Sequence, residues 1–248
     1  MVKALLYTAC VSRRTIAAEL GLSFLAVSLV TWVITHTPGD AADLVGPLLL
    51  SAVFLFGALA QARRDPRGPA HYGIDLDGVL EPRRGESLAE ALRAGLPSLG
   101  RELVFALKMA AIVFPPFVLL FALYHGVRHP FTFQPPAHPL DFALGQLLVV
   151  ALPEEALFRG YFQTRLEDVF PARSRLFGAA ISWPALLIQA ALFALLHFLV
   201  GFAPGRLAVF FPGLLFGYLR ARRGGIGAAV WFHALSNGLS ELLTRGWL

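Results

Sequence analysis

Apolar residues run along this chain in blocks of about 20, long enough at 1.5 Å per residue to cross the ~30 Å hydrocarbon layer of a bilayer as helices. Seven blocks stand out: roughly 15–36, 41–62, 102–125, 140–166, 178–200, 205–221 and 225–244. They predict an all-α, polytopic transmembrane bundle occupying the whole chain, 1–248, with no internal repeat and no separate soluble domain. The first block lacks a small-residue cleavage site after it and reads as a retained anchor. Residues 63–101 fall between blocks. They open with Pro and Gly (DPRGPAHYGIDLDG) and continue with Leu88, Leu92, Leu96 and Leu99 at helical spacing. The expectation there is a cytoplasmic loop ending in an amphipathic helix at the membrane surface. Glu86, Glu90 and Arg93 argue against an eighth span there.

Composition agrees with the pattern. Of 248 residues 56% are hydrophobic and only 15% charged, and mean hydropathy is +0.64, above the range of ordinary soluble domains. The formal charge of +5 could point to nucleic acid. The basic residues instead sit in short clusters between apolar blocks: Lys3, Arg13 and Arg14; then Arg63, Arg64, Arg67, Arg83, Arg84, Arg93 and Arg101; then Arg165, Arg173 and Arg175; then Arg220, Arg222 and Arg223. The alternate loops hold none, or only Arg128 or Arg206. Positive loops face the cytoplasm, so the amino terminus is expected inside, the carboxyl terminus outside if there are seven spans, and a lipid bilayer rather than nucleic acid as partner. The single cysteine, Cys10, excludes an internal disulfide and a cysteine-rich metal site. Pro115-Pro116 should kink the third span, and Gly213-x-x-x-Gly217 is a close-packing pattern in the sixth.

The chemistry begins with LPEEALFRGYFQ, residues 152–163. A charge at mid-bilayer costs ~2.5–3.5 kcal/mol on the insertion scale, so Glu154, Glu155 and Arg159 must face protein or water. Glu155 and Arg159 are four apart and can pair, while Glu154 is rotated by ~100° and remains free. Two further spans carry polar pairs at the same spacing: Phe193 with His197, and His233 with Asn237. Each has a plainer reading when taken alone: a buried ion pair, a hydrogen-bonded core histidine, an asparagine joining helices. Together they place an acid, a His, and a His with an Asn on three spans. Counted inward from the cytoplasmic helix ends, Glu154 and His197 lie ~20 Å deep and His233 ~12 Å, so a common site inside the membrane is feasible.

A carboxylate and an imidazole can position a water and take its proton, which suits Glu154 and His197. A His N–H and an Asn amide can hold an oxyanion, which suits His233 and Asn237. One Glu and two His can also bind zinc, although HExxH is absent, so a zinc protease stays open as an alternative mechanism. No serine stands in a nucleophile setting. A non-catalytic immunity or scaffold protein, or a small transporter, is the competing class.

The set EExxxR, FxxxH and HxxxN on successive membrane helices resembles the CPBP intramembrane endopeptidases, named for type II CAAX prenyl proteases and bacteriocin-processing enzymes and also called ABI proteins. The resemblance covers about 140–240 and implies a core of eight helices against the seven apolar blocks of this chain, so the expectation is seven to eight spans, with the amphipathic segment near 86–101 as the candidate for the remaining one. It implies a glutamate-dependent intramembrane protease without a metal or other cofactor, in which Glu154 and His197 activate water and His233 and Asn237 form the oxyanion site. Glu155 and Arg159 would position substrate or brace the site, with Phe193 beside them. The substrate class is a membrane-associated protein or peptide, with or without a lipid. The Arg, Ala, Leu and Gly bias resembles that of a high-GC bacterium, so an inner-membrane protein is expected. The resemblance then implies bacterial relatives that process peptides, or myxosortase-type members that remove carboxyl-terminal sorting helices from surface proteins, and the single-chain architecture with basic inner loops suits the second role without selecting it.

Overall fold

The computed structural model describes residues 12–82, 85–126 and 130–247, with the side chains of 41–44 excepted. Lys3, Cys10, Arg83, Arg84 and Arg128 lie outside the described residues.

Helix α1 (Arg13–His36) starts where Ser12 accepts a hydrogen bond from the Thr15 backbone N–H, satisfying one of the orphan donors of the first turn. Helix α2 (Asp40–Arg64) returns beside it. A short turn, α3 (Gly68–His71), leads to α4 (Leu88–His125), which opens on a capping box between Ser87 and Glu90. α4 corrects the reading of 63–101. The leucine-spaced segment is not a separate surface helix but the first turns of one 38-residue helix that continues through the third apolar block. Leu88, Leu92 and Leu96 face outward, whereas Ala91, Gly95 and Ser98 are buried, Gly95 with Val79 against it. Small residues on one face let the preceding loop pack against the helix, and nothing between 101 and 102 breaks it. Pro115 and Pro116 both lie inside this helix.

The fourth block is one helical rod, α5, of changing pitch: α-helix Pro139–Leu144, π-helix Gly145–Ala151, α-helix Leu152–Glu155, π-helix Ala156–Phe162 and α-helix Gln163–Val169. Pro153 supplies a reason for the first π segment. A proline in a regular helix clashes with the carbonyl four residues back and removes a donor. Widening the preceding turn, so that Leu152 N–H bonds Leu147 O, accommodates it.

The fifth block departs from the all-α expectation. A hairpin leads into it, β1 (Ser174–Leu176) paired antiparallel with β2 (Ala179–Ile181), turning through Phe177 and Gly178 at positive φ. Helix α6 (Trp183–Leu199) then begins on a Ser182 cap with Pro184 in its first turn. A 3-10 turn (Pro204–Val209) precedes α7 (Phe210–Arg223), which ends on Gly224 in the left-handed conformation, and α8 (Gly227–Trp247) closes the chain.

The protein is mostly helical, and among the described residues three helices, in α1, α2 and α4, are long and apolar enough to cross a membrane. The shorter α6 and α7 do not reach that length by themselves. Outward-facing Leu22, Leu25, Leu29, Ile112, Leu119 and Leu120 are all more than half exposed, as a lipid-facing surface requires and a water-facing one would not tolerate in such number.

Two apolar clusters hold the helices. One joins Ile16, Leu20, Phe24 and Val27 of α1 and Phe54, Ala58 and Leu59 of α2 to Phe158, Tyr161 and Phe162 of α5. The other joins Ala106 and Ala110 of α4 to Phe216 and Leu219 of α7 and Ala229 and Phe232 of α8. At one end, charges lock the first cluster. Arg67 bridges Asp65 and Asp168, Arg165 bridges Asp168 and Glu19, and Tyr161 donates to Glu19. Burial opposes ionisation of Asp65, but hydrogen bonds from the Arg67 side chain, the Arg67 N–H and the Tyr72 hydroxyl outweigh it and bring its pKa down to about 2.

Candidate active site

α5, α6 and α8 bring the predicted residues together. Glu154, Phe193, His197, His233 and Asn237 all line a cavity of ≈ 570 Å³, closed on its other sides by residues of α4 and α7 that include Phe114, Phe117, Phe211 and Phe216. Glu154 Oε2 lies 4.0 Å from His197 Nε2 and 3.8 Å from His233 Nε2, and it is buried without a hydrogen-bond partner among the described residues. Such spacings are too long for direct hydrogen bonds and suit a bridging water about 2.8 Å from each group.

The far nitrogens determine what these rings can do. His197 Nδ1–H donates to Phe193 O at 2.9 Å, and His233 Nδ1–H donates to Glu155 Oε1 at 2.8 Å. Each ring therefore turns its Nε2 toward Glu154, an acceptor when the ring is neutral and a donor when it is protonated. Asn237 Nδ2 donates to Gln146 Oε1 at 2.8 Å, which holds the amide on the wall and leaves its second N–H free to donate.

Glu155 and Arg159 sit behind this wall. Both are 0% exposed and neither lines the cavity. Arg159 Nη1 donates to Glu155 Oε1 at 2.9 Å and Nη2 to Gly213 O at 3.3 Å. Its guanidinium lies over the rings of Phe193 at 4.2 Å and Phe216 at 5.0 Å. Phe216 in turn stacks on His233, with ring centroids 4.6 Å apart. Phe193 thus serves three neighbours: its carbonyl accepts from His197, its ring face receives Arg159, and it makes a T-shaped contact with Phe158.

The two glycines of α7 allow this close approach. Gly213 and Gly217 offer their carbonyls to Gln189 and Gln163, and a Cβ on Gly217 would stand 2.5 Å from Gln189 Nε2 and from Leu186 Cδ1. Gln146, Gln163, Gln189 and Phe216 escape a reading of the sequence. A lone amide in an apolar helix carries no spacing signal, and its partner lies on another helix.

Among the described residues no group of three or more His, Cys, Asp and Glu side chains is arranged to hold a metal ion.

The segment 136–239 matches the type II CAAX prenyl endopeptidase Rce1-like family. It is an Rce1-like domain. The domain begins just before α5, ends within α8 and contains every residue of the constellation; α1, α2 and α4 lie outside it. The Rce1-like domain makes this chain a protease, one acting on protein or peptide substrates, and the long apolar helices make it an integral membrane protein. Neither a curated protein nor a solved structure matches the chain.

Proposed function

We propose that the protein is an intramembrane endopeptidase of glutamic type, with seven to eight spans and a cytoplasmic amino terminus, that hydrolyses a peptide bond in a membrane-associated protein or peptide. The observation that carries this reading is the convergence of Glu154 Oε2 with two imidazole nitrogens at 4.0 and 3.8 Å on the wall of one cavity. Water held between Glu154 and His197 gives a proton to Glu154 as its oxygen bonds to the scissile carbonyl carbon. Asn237 Nδ2–H and His233 donate to the resulting oxyanion. His233 acts as a donor there with both ring nitrogens protonated, its Nδ1–H remaining on Glu155. The C–N bond then breaks and Glu154 returns the proton to the leaving amine, so that one water is consumed per bond.

The composition resembles that of a high-GC bacterium and favours an inner-membrane enzyme, and the family resemblance together with the basic inner loops suits surface proteins carrying carboxyl-terminal sorting helices as substrates, as in myxosortase-type members. A pool of quenched-fluorescent membrane peptides, farnesylated and unmodified, is reconstituted with the purified chain in liposomes, and products are identified by mass. The wild type cuts at least one peptide, while Glu154→Ala and His197→Ala cut none and unfold at the wild-type temperature. Cleavage undiminished in both variants overturns the glutamic mechanism, and a wild type that cuts nothing favours the non-catalytic reading. Comparison of carboxyl-terminal protein sizes in cells with and without the gene identifies the natural substrate.

A further inference from the structure

Glu154 and His197 are shared by two cavities. Beyond the large one lies a smaller chamber of ≈ 160 Å³, on whose wall α1 and α2 place Thr31, Ser51 and Phe54 beside Val150, Glu154 and His197. Its far wall thus comes from helices outside the Rce1-like segment. Most of the lining is apolar, yet Thr31 Oγ1 is buried, at 3% exposure, and has no hydrogen-bond partner among the described residues. Glu154 Oε2 shares that condition, and so does Ser28 Oγ one turn earlier on α1. A hydroxyl buried without a partner costs ~1–3 kcal/mol, a penalty that vanishes when a water bonds it.

A hydrolase inside the membrane has a supply problem. Bound peptide fills the large cavity and expels its water, but each turnover consumes one water at Glu154. The molecule must then arrive from a side that the substrate does not cover. We propose that the small chamber formed by α1 and α2 is that side: it holds several waters, each needing ~30 Å³ of liquid volume, against Thr31, Ser51 and the rear of Glu154 and His197, and passes them to the reacting position. This rests on Glu154 being the base, and it gives the amino-terminal helices a part in catalysis that is distinct from binding peptide.

Two measurements test it, the first independent of any substrate. In full-length protein with its single cysteine replaced (Cys10→Ala), Ser51→Cys in liposomes is treated with a small hydrophilic methanethiosulfonate, alongside lipid-facing Leu22→Cys. Labelling of the first and not the second is expected, since a thiol reacts as its hydrated thiolate; protection of Ser51→Cys to the level of Leu22→Cys overturns the proposal while leaving Glu154 chemistry intact. In the second, Ser51→Leu fills the chamber and Thr31→Val removes its hydroxyl without changing shape. With the peptide that the wild type cuts fastest, Ser51→Leu is expected to lower kcat by ~10-fold or more with KM within about twofold, and Thr31→Val to lower kcat in the same sense by less, with unfolding temperatures unchanged. A raised KM or an altered preference for one substrate side chain, with kcat kept, makes the chamber a side-chain subsite and overturns the water route. Unchanged kinetics in both variants overturn it as well.

Discussion

Glu155 and His233 are joined at 2.8 Å, Oε1 to Nδ1, although they lie on different helices and Glu155 is wholly buried. The same oxygen also receives Arg159. One carboxylate therefore orients a ring on the cavity wall and neutralises a cation behind it. Removal of either partner should be felt at the other.

Arg159→Met leaves Glu155 buried with only a histidine and strips the cation from the Phe193 and Phe216 rings. A broken buried pair costs ~3–5 kcal/mol, so thermal unfolding in detergent should show a large drop. Arg159→Lys should recover little, because an ammonium can neither stack on two rings nor reach both Glu155 and Gly213 O in one plane. A wild-type unfolding temperature for Arg159→Met would remove the bracing role.

Asn237→Ala should lower kcat by ~10²–10³-fold with KM nearly unchanged, as expected of a donor that acts on the transition state. Gln146→Leu should follow it more weakly, because it frees the Asn237 amide without deleting it. Steady-state kinetics on the same peptide separate the two, and an unchanged kcat in Asn237→Ala would end the oxyanion assignment.

Gly217→Ala pushes a methyl against Gln189, whose Nε2 is held by Gly213 O, so Gln189 cannot move without losing that bond. Overpacking of this kind costs ~1–3 kcal/mol. Unfolding should begin at a lower temperature, with activity falling because α7 carries Phe216 against His233.

Acid should loosen the lock at the end of α2. Asp65 has its pKa brought from the ordinary 3.8 down to about 2 in the folded chain. A depressed carboxyl contributes stability that is fully present above its unfolded pKa and lost as pH falls through the folded one. Unfolding temperature should therefore decline between pH 4 and 2, and Asp65→Asn should decline less across that window while starting lower at pH 7. Equal slopes in the two proteins would show that Asp65 is not responsible.

Exhaustive chelation should leave peptide cleavage complete if water is activated by Glu154 and His197. Loss of activity that zinc alone restores would instead favour the metal mechanism.

Much of the site was legible in the sequence because its signals are local. Charges in an apolar run and polar pairs four apart are properties of single helices, and 3.6-residue periodicity puts each pair on one face. Arg159 did find Glu155, and His197, His233 and Asn237 share a cavity with Glu154. The partners of His233 and Asn237, by contrast, are Glu155 and Gln146, 78 and 91 residues away. No spacing rule reaches that far.

Sequence by itself determined that the chain is an apolar helical protein with polar or charged pairs four residues apart on three of its helices, since hydropathy and periodicity need no knowledge of neighbours. Tertiary structure alone decided that the surface helix is part of α4, that α5 widens around Pro153, and that α1 and α2 build a second chamber on Glu154. Each of these depends on which helices approach closely. That is set by the fit of small and large side chains across interfaces, such as Gly217 against Gln189, and one chain position cannot specify it without the other.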